Sequence, residues 1–198
     1  RVETINLHRQ GLYGEQDVTE GMAKVAAAQR RLWAINANVT VETAYRMARP
    51  DTIDELAAGC DLLLDGTDNF TARFVLNDYA VRERMPWVFA GAVGGEGQVL
   101  AIPPGRPCLR CIYPQLPQTD IRAADVDVLP PVVTAVASIA TTEAVKILTG
   151  HQPSGHLLKL DLWTGHVQRL DVVNAAADVD CPCCKRRDFA YLQGRARG

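Results

Sequence analysis

The stretch Asp61-Leu-Leu-Leu-Asp65-Gly-Thr-Asp-Asn69 decides the fold class of this 198-residue chain. Three consecutive leucines between turn-favouring aspartates are typical of a strand that is covered on both faces of a sheet. A helix is predicted directly after it, from about Asn69 to Arg84, and a second strand from Trp87 to Ala90. A strand, a helix and a strand in this order indicate a parallel βαβ unit.

The residues upstream of this unit are predicted to continue the alternation. Apolar residues recur at helical spacing from about Asp17 to Ile35, and Val39–Thr43 alternates valine with polar residues as a strand does. Thr52-Ile-Asp-Glu55 has the form of a capping box and predicts a short helix.

The residues downstream predict antiparallel strands. Gln98–Ile102 is a predicted strand, Pro130–Thr149 a helix with prolines at its start, and Leu157–Leu162 with Val167–Val172 a hairpin. We therefore expect one α/β domain over residues 1–198, with a Rossmann-like, mostly parallel sheet and an antiparallel extension.

Two cysteine pairs of identical spacing predict a metal site. Cys108 and Cys111 form one pair, and Cys181 and Cys184 form the other. Four thiolates on two such knuckles suit a closed, tetrahedral zinc ion with Zn–S distances of about 2.3 Å, which would be structural and not catalytic. Disulfides are the alternative, but the expected compartment is the reducing cytoplasm. Cys183 could replace a neighbour as ligand, although the spacing favours Cys184.

The composition limits the classes of partner. Basic and acidic residues number 21 and 23, which gives a net charge of −2, and 47% of the residues are hydrophobic. This balance argues against a general nucleic-acid binder, and no basic helix suggests a membrane surface. The basic, glycine-containing segment 185–198 is expected to be a flexible tail.

Three polar stretches offer groups that bind nucleotides. Arg9 presents a planar fork for phosphate oxygens, Lys24 a point charge, and Asp68 a carboxylate for Mg²⁺. Asp68 follows a buried strand, and in open α/β sheets ligands bind at the carboxyl ends of strands. Each residue also has a simpler interpretation, because Arg9 and Lys24 could be solvated surface residues and Asp68 could cap the helix that starts at Asn69.

The order of the motifs decides between these interpretations. The chain resembles the ThiF/MoeB/HesA family, bacterial relatives of ubiquitin-activating enzymes that adenylate sulfur-carrier proteins. Eight motifs match in order: Asn6-Leu-His-Arg-Gln10, Gly21–Val25, Asp65–Asn69, Gly91–Val99, Pro107–Cys111, Pro131-Val-Val133, Glu143-Ala-Val-Lys146 and Cys181–Cys184.

The resemblance implies a function and a set of site residues. A ubiquitin-like carrier protein would present its C-terminal Gly-Gly carboxylate to the α-phosphate of ATP, and a sulfur donor would then convert the adenylate to a thiocarboxylate. By motif match, Asn6 and Arg9 contact the phosphates, Lys24 supports the same charge, and Asp68 holds Mg²⁺ with Asn69 close by. The carrier would belong to thiamine or molybdopterin biosynthesis, and relatives of this kind are homodimers.

Two departures from the family pattern keep an alternative open. Family members carry a strand, a Gly-x-Gly-x-x-Gly turn, a helix and a strand before the motif at Asn6, and this unit is absent from the sequence. Ala123 also stands where several relatives have a cysteine that can bind the carrier covalently. The alternative is therefore a non-catalytic, carrier-binding subunit or fragment of an activating enzyme.

Overall fold

A computed structural model describes residues 1–115 and 127–195 of the chain. Ala123, the position of the expected cysteine in relatives, lies outside the described residues. The chain forms two compact units, Arg1–Met47 and Ala48–Gly198.

The first unit contains a short 3-10 helix and two α-helices. These are the 3-10 helix Thr4–Asn6, α1 Glu15–Thr19 and α2 Lys24–Ile35. The sequence predicts one helix over about residues 17–35, but the structure divides it between α1 and α2. Gly21 lies between them with a φ of +59°, in the left-handed region that ends a helix.

The strand predicted at Val39–Thr43 does not form, and this prediction is wrong. Val39 is 54% exposed, and the described residues around it have no strand geometry. The carbonyl oxygen of Val41 accepts a 2.6 Å hydrogen bond from Nε2 of Gln29 on α2. Alternation alone does not make a strand when the backbone lacks a neighbouring strand to pair with.

The second unit contains one sheet with helices on both faces. Its elements are α3 Ile53–Leu56, β1 Leu63–Leu64, α4 Phe70–Glu83, β2 Trp87–Val93, β3 Glu96–Ile102, α5 Leu109–Ile112, α6 Pro130–Leu148, β4 His156–Asp161, β5 His166–Asp171 and α7 Val172–Ala175. The short helix after Thr52 is present as α3, but it has no side-chain cap, so the predicted capping box is wrong.

Within the described ranges the sheet has the order β1-β2-β3-β4-β5, and its one parallel pair is β1 with β2. The three remaining pairings are antiparallel, so the prediction of a mostly parallel sheet is wrong. One crossover through α4 gives the parallel pair. The chain reverses directly after β2 at Gly94, whose φ is +58°, and a hairpin of this kind makes neighbouring strands antiparallel.

The core lies on both faces of β2. Trp87 and Phe89 point to the face covered by α4, whereas Val88 and Ala90 point to the face covered by α6. α6 is long and apolar enough to cross a membrane by length and composition. It packs along β2 and β3 through a buried stripe of Val132, Val136, Ala140 and Ala144, so we interpret it as a core helix.

The segment after the last cysteine packs against α4. Phe189 is only 9% exposed, and the backbone N–H of Tyr191 donates a 3.0 Å hydrogen bond to Oδ2 of Asp78. The described part of the segment, residues 185–195, is therefore anchored where the sequence suggested a flexible tail.

Candidate nucleotide site and metal centre

The loop after β1 presents Asp68 at the carboxyl end of that strand. Asn69 is the N-cap of α4, because its Oδ1 accepts a 2.8 Å hydrogen bond from the backbone N–H of Ala72. The cap is thus Asn69 and not Asp68. The Asp68 side chain is exposed, and its Oδ1 accepts a 3.3 Å hydrogen bond from Nδ2 of Asn69. Its carboxylate is therefore available to a ligand.

A buried ion pair holds the first half of this loop. Oδ1 of Asp65 accepts 2.7 Å hydrogen bonds from the backbone N–H and the hydroxyl of Thr67. Its Oδ2 lies 3.2 Å from Nε of Arg73, which also donates to the carbonyl oxygens of Thr67 and Ala90. Burial raises the pKa of Asp65, and the charge of Arg73 and the hydrogen bonds from Thr67 oppose that rise. These contacts fix the backbone that leads into Asp68.

Sequence reasoning missed Arg73 as part of this region. The arginine lies on the inward face of α4, and its guanidinium carbon is 5.1 Å from the ring centre of Phe70 and 5.2 Å from that of Phe89. Contacts of this kind are favourable for a desolvated cation. Arg73 lies on the same face of the helix as Phe70 and Phe74, and a cation on that apolar face is the signal that could have identified it.

In the first unit, the structure brings Asn6 and Arg9 together. Oδ1 of Asn6 accepts a 3.0 Å hydrogen bond from Nη2 of Arg9, and Nη1 of Arg9 donates to the carbonyl oxygen of Ile5 at 3.1 Å. Asn6 is 7% exposed, and its Nδ2 donates to Oε2 of Glu3. The asparagine therefore orients the guanidinium of the neighbouring turn.

Lys24 occupies the first position of α2, also in the first unit. The first turn of α2 has no acidic residue, although the helix dipole favours a negative charge there. The segment before the helix is tied to the first residues of the sequence by a 2.9 Å hydrogen bond from the Val2 N–H to the Met22 carbonyl. A lysine combined with unpaired helix N–H groups concentrates positive charge where an anion could bind.

The second unit gathers the four predicted metal ligands. The sulfur atoms of Cys108, Cys111, Cys181 and Cys184 all lie within 4.8 Å of one another. Three of these separations are 3.4, 3.7 and 4.0 Å. Sulfurs at the corners of a tetrahedron around zinc would be about 3.8 Å apart, so the thiols present fit that ion. All six cysteines of the chain are free thiols, which does not support the disulfide alternative.

Cys183 is outside this group and has a different partner. It is fully buried, and its sulfur accepts a 3.3 Å hydrogen bond from Nδ2 of Asn77 on α4. Oδ1 of the same asparagine accepts a 2.8 Å hydrogen bond from the Leu109 N–H, in the first knuckle. One amide on α4 therefore holds both knuckles.

Asp78, the next residue of α4, holds the same region from the other side. Its Oδ1 lies 3.2 Å from Nη1 of Arg110, in the first knuckle, and both side chains are almost fully buried. Burial raises the pKa of Asp78, while Cys183, Arg110 and the Tyr191 N–H oppose the rise. Such outer contacts position metal ligands. Two adjacent polar residues, Asn77 and Asp78, in the middle of a buried helix are the sequence signal that could have identified these supporting contacts.

Comparison with known proteins identifies the family. The model of the ThiF family matches residues 1–183. A sulfur carrier protein ThiS adenylyltransferase of Bacillus subtilis is 36% identical over 96% of this chain and 57% of its own length. A sulfur carrier protein adenylyltransferase of Thermus thermophilus is 34% identical over 93% of this chain and 70% of its own length. The chain thus spans a little over half of the Bacillus protein.

Solved structures show the same fold at lower identity. The Escherichia coli protein MccB, in a complex with MccA-N7isoASN, superposes with a TM-score of 0.76 at 20% identity, over 93% of this chain and 57% of that one. A complex of MccB with ATP gives a TM-score of 0.74 at 21% identity, over 93% of this chain and 56% of that one. The match to the family model and the identity to the two relatives show that the chain belongs to the ThiF family.

Proposed function

We propose that the protein uses ATP to adenylate the C-terminal Gly-Gly carboxylate of a ubiquitin-like sulfur-carrier protein. Two relatives are named adenylyltransferases of sulfur-carrier proteins, and an archaeal relative from Haloferax volcanii, 34% identical over 92% of this chain, is named a SAMP-activating enzyme E1. The carrier is proposed to be of the thiamine or molybdopterin type, and the Bacillus relative is named for a carrier called ThiS.

The proposal assigns nucleotide binding to the residues that match the family motifs. Arg9, oriented by Asn6, and Lys24 at the start of α2 would bind the phosphates, and Asp68 would hold a Mg²⁺ ion that supplies further positive charge. Asn69 orients the Asp68 carboxylate through its side-chain amide. This set supplies the cations and the oxygen ligand that phosphoryl chemistry requires.

The proposed reaction is an in-line displacement at the α-phosphorus. A carboxylate oxygen of the carrier forms a bond to that phosphorus, the bond from the α-phosphorus to the bridging oxygen breaks, and pyrophosphate leaves with the electron pair. A carboxylate is already ionised at neutral pH, so no general base is needed. Arg9 and Lys24 stabilise the charge that develops on the phosphate oxygens, and binding holds the two reactants in line.

The proposal assigns the metals different roles. Mg²⁺ at Asp68 would act on the phosphates, whereas zinc at the four cysteines has no open coordination position and would hold the two knuckles together. A sulfur donor, a homodimeric assembly and a cytoplasmic location complete the proposal, as the resemblance implies.

The observation that carries the proposal is the exposed Asp68 carboxylate. Asn69 caps α4, so Asp68 is not needed for that role. The test is ATP–pyrophosphate exchange in the presence of a carrier that ends in Gly-Gly. We expect exchange that requires the carrier, and a loss of at least about 100-fold in Asp68→Asn because a transition-state charge contact is removed. Asp61→Asn, an exposed aspartate at the other end of β1, is the matched control. Exchange that Asp68→Asn leaves unchanged would refute the site assignment.

A further inference from the structure

A cavity lies in the second unit, away from the loop that carries Asp68. Its volume is about 410 Å³, and its floor includes Trp87 and Ile102, which are paired at the amino end of β2 and the carboxyl end of β3. Because β1 is parallel to β2, the loop after β1 lies toward the opposite end of β2. The cavity is therefore separate from the part of the proposed nucleotide site that Asp68 forms.

The rim of this cavity is positively charged. In the part of the chain that the structure describes, four cations line it, Arg84, Arg106, Lys185 and Arg187, and no carboxylate does. Among the described residues, none of the four forms an ion pair. Two of the metal-ligating cysteines also border the cavity, and a zinc tetrathiolate would carry a net charge of about −2. The four cations outnumber that negative charge, so the rim keeps a net positive charge and can bind an anion.

The floor contains a hydrogen-bond donor without a partner. Trp87 is 0% exposed, and its indole Nε1 has no acceptor among the described residues. A buried N–H group without an acceptor is costly, and most such groups in folded proteins are paired. Trp87 therefore lies behind the accessible lining of the cavity, and a ligand would reach Nε1 only if that lining moved.

Two of the rim arginines have an unusual backbone conformation. Arg84 and Arg187 both have a φ of 56°, and they are the non-glycine residues with positive φ in the described chain. Arg84 ends α4 at the position where glycine is usual. A side chain in this region is strained, and such strain is concentrated at functional sites. Both residues line the same cavity, which links the strain to the charge of the rim.

We propose that this cavity binds a small aromatic molecule that carries a phosphate group. The apolar part of the lining, which includes Met85, Pro104 and Val173, accommodates a flat ring, because small-molecule sites are mostly apolar with a few polar groups that fix orientation. The arginine forks on the rim bind the phosphate oxygens in pairs, as guanidinium groups do. The volume of about 410 Å³ is in the range of such sites.

The probe for this proposal is 1-naphthyl phosphate, titrated calorimetrically into the zinc-loaded protein. We expect one site that weakens with added salt, and little binding of the uncharged 1-naphthol or of inorganic phosphate alone, because ring and charge are both required. Phosphate that binds as tightly as the naphthyl ester would overturn the assignment of the ring to the cavity.

The key variants are Arg84→Gly and Arg187→Gly. Each removes one cation, and glycine relieves the positive φ, so the fold is retained. We expect about tenfold weaker binding for each. A further pair compares Arg106→Gln, on the rim, with Arg169→Gln, on β5 and outside the cavity; only the first should weaken binding.

Two further results would overturn the proposal. The first is unchanged affinity in both glycine variants while their unfolding curves match the wild type. The second is binding that Asp68→Asn abolishes and that saturating ATP displaces, because the probe would then occupy the nucleotide site. Failure of the adenylation assay would leave this titration unaffected, so the two proposals are tested separately.

Discussion

The replacement Arg73→Met tests whether the buried pair with Asp65 holds the loop that carries Asp68. The side chain of Asp65 is fully buried, and that of Arg73 is 8% exposed, so methionine leaves a carboxylate without its charge partner. Removing one partner of a buried ion pair costs about 3–5 kcal/mol. This is a large fraction of the roughly 5–15 kcal/mol by which a domain is stable.

The pH dependence of this loss has a defined sign. Burial already raises the pKa of Asp65, and the Arg73 charge opposes the rise. Without Arg73 the pKa in the folded state rises further above that in the unfolded state. The carboxyl can then bind a proton at low pH, which removes the penalty, and the penalty returns as the pH increases through the folded-state pKa. We therefore expect a smaller loss at about pH 5 than at about pH 8.

The assay is urea unfolding followed by tryptophan fluorescence, with saturating zinc throughout. Arg169→Met, an exposed arginine on β5, is the control and should change the free energy of unfolding by less than about 0.5 kcal/mol. The double variant Asp65→Asn/Arg73→Met should recover part of the stability, because it removes the buried charge. A loss below about 1 kcal/mol at about pH 8, or one that is the same at both pH values, would refute the reasoning.

The remaining predictions concern packing, capping and the metal centre. A Cβ at Gly97 would clash with Val136 on α6, so Gly97→Ala should lower the free energy of unfolding by about 1–3 kcal/mol in the same urea assay. Asn69→Ala removes the cap of α4 and should cost about 0.5–2 kcal/mol, whereas the shape-matched Asn69→Asp should retain most of the stability. Asn77→Ala should weaken zinc binding about 10- to 100-fold in competition with a coloured chelator, because both knuckles lose a shared partner. Zinc affinity should also fall as the pH decreases, since protons compete for the thiolates, and an affinity independent of pH would contradict binding by four cysteines.

The sequence predicted those helices and strands whose own residues mark both the type of element and where it begins. α4 begins at an asparagine cap, α6 begins with prolines, and the hairpin of β4 and β5 has turn residues between two alternating segments. The spacing of the cysteines also selected the four thiols that gather in the structure.

The predictions that failed depend on neighbours that a local pattern does not specify. The segment Val39–Thr43 alternates as a strand does, yet it has no partner strand. The sheet is mostly antiparallel because the chain reverses after β2. The prediction of a mostly parallel sheet applied the pattern of one strand–helix–strand unit to all strands. The Asp65–Arg73 pair and the contacts of Asn77 join residues that only the folded chain brings together.

The most direct test of the central claim is the affinity for ATP in the presence of Mg²⁺. We predict that the wild-type protein binds Mg·ATP and that Arg9→Ala, Lys24→Ala and Asp68→Asn each weaken binding by about tenfold or more, whereas Asp61→Asn does not. If the wild type does not bind the nucleotide, or if the three variants bind it as tightly as the wild type does, the assignment of these residues to nucleotide binding is wrong.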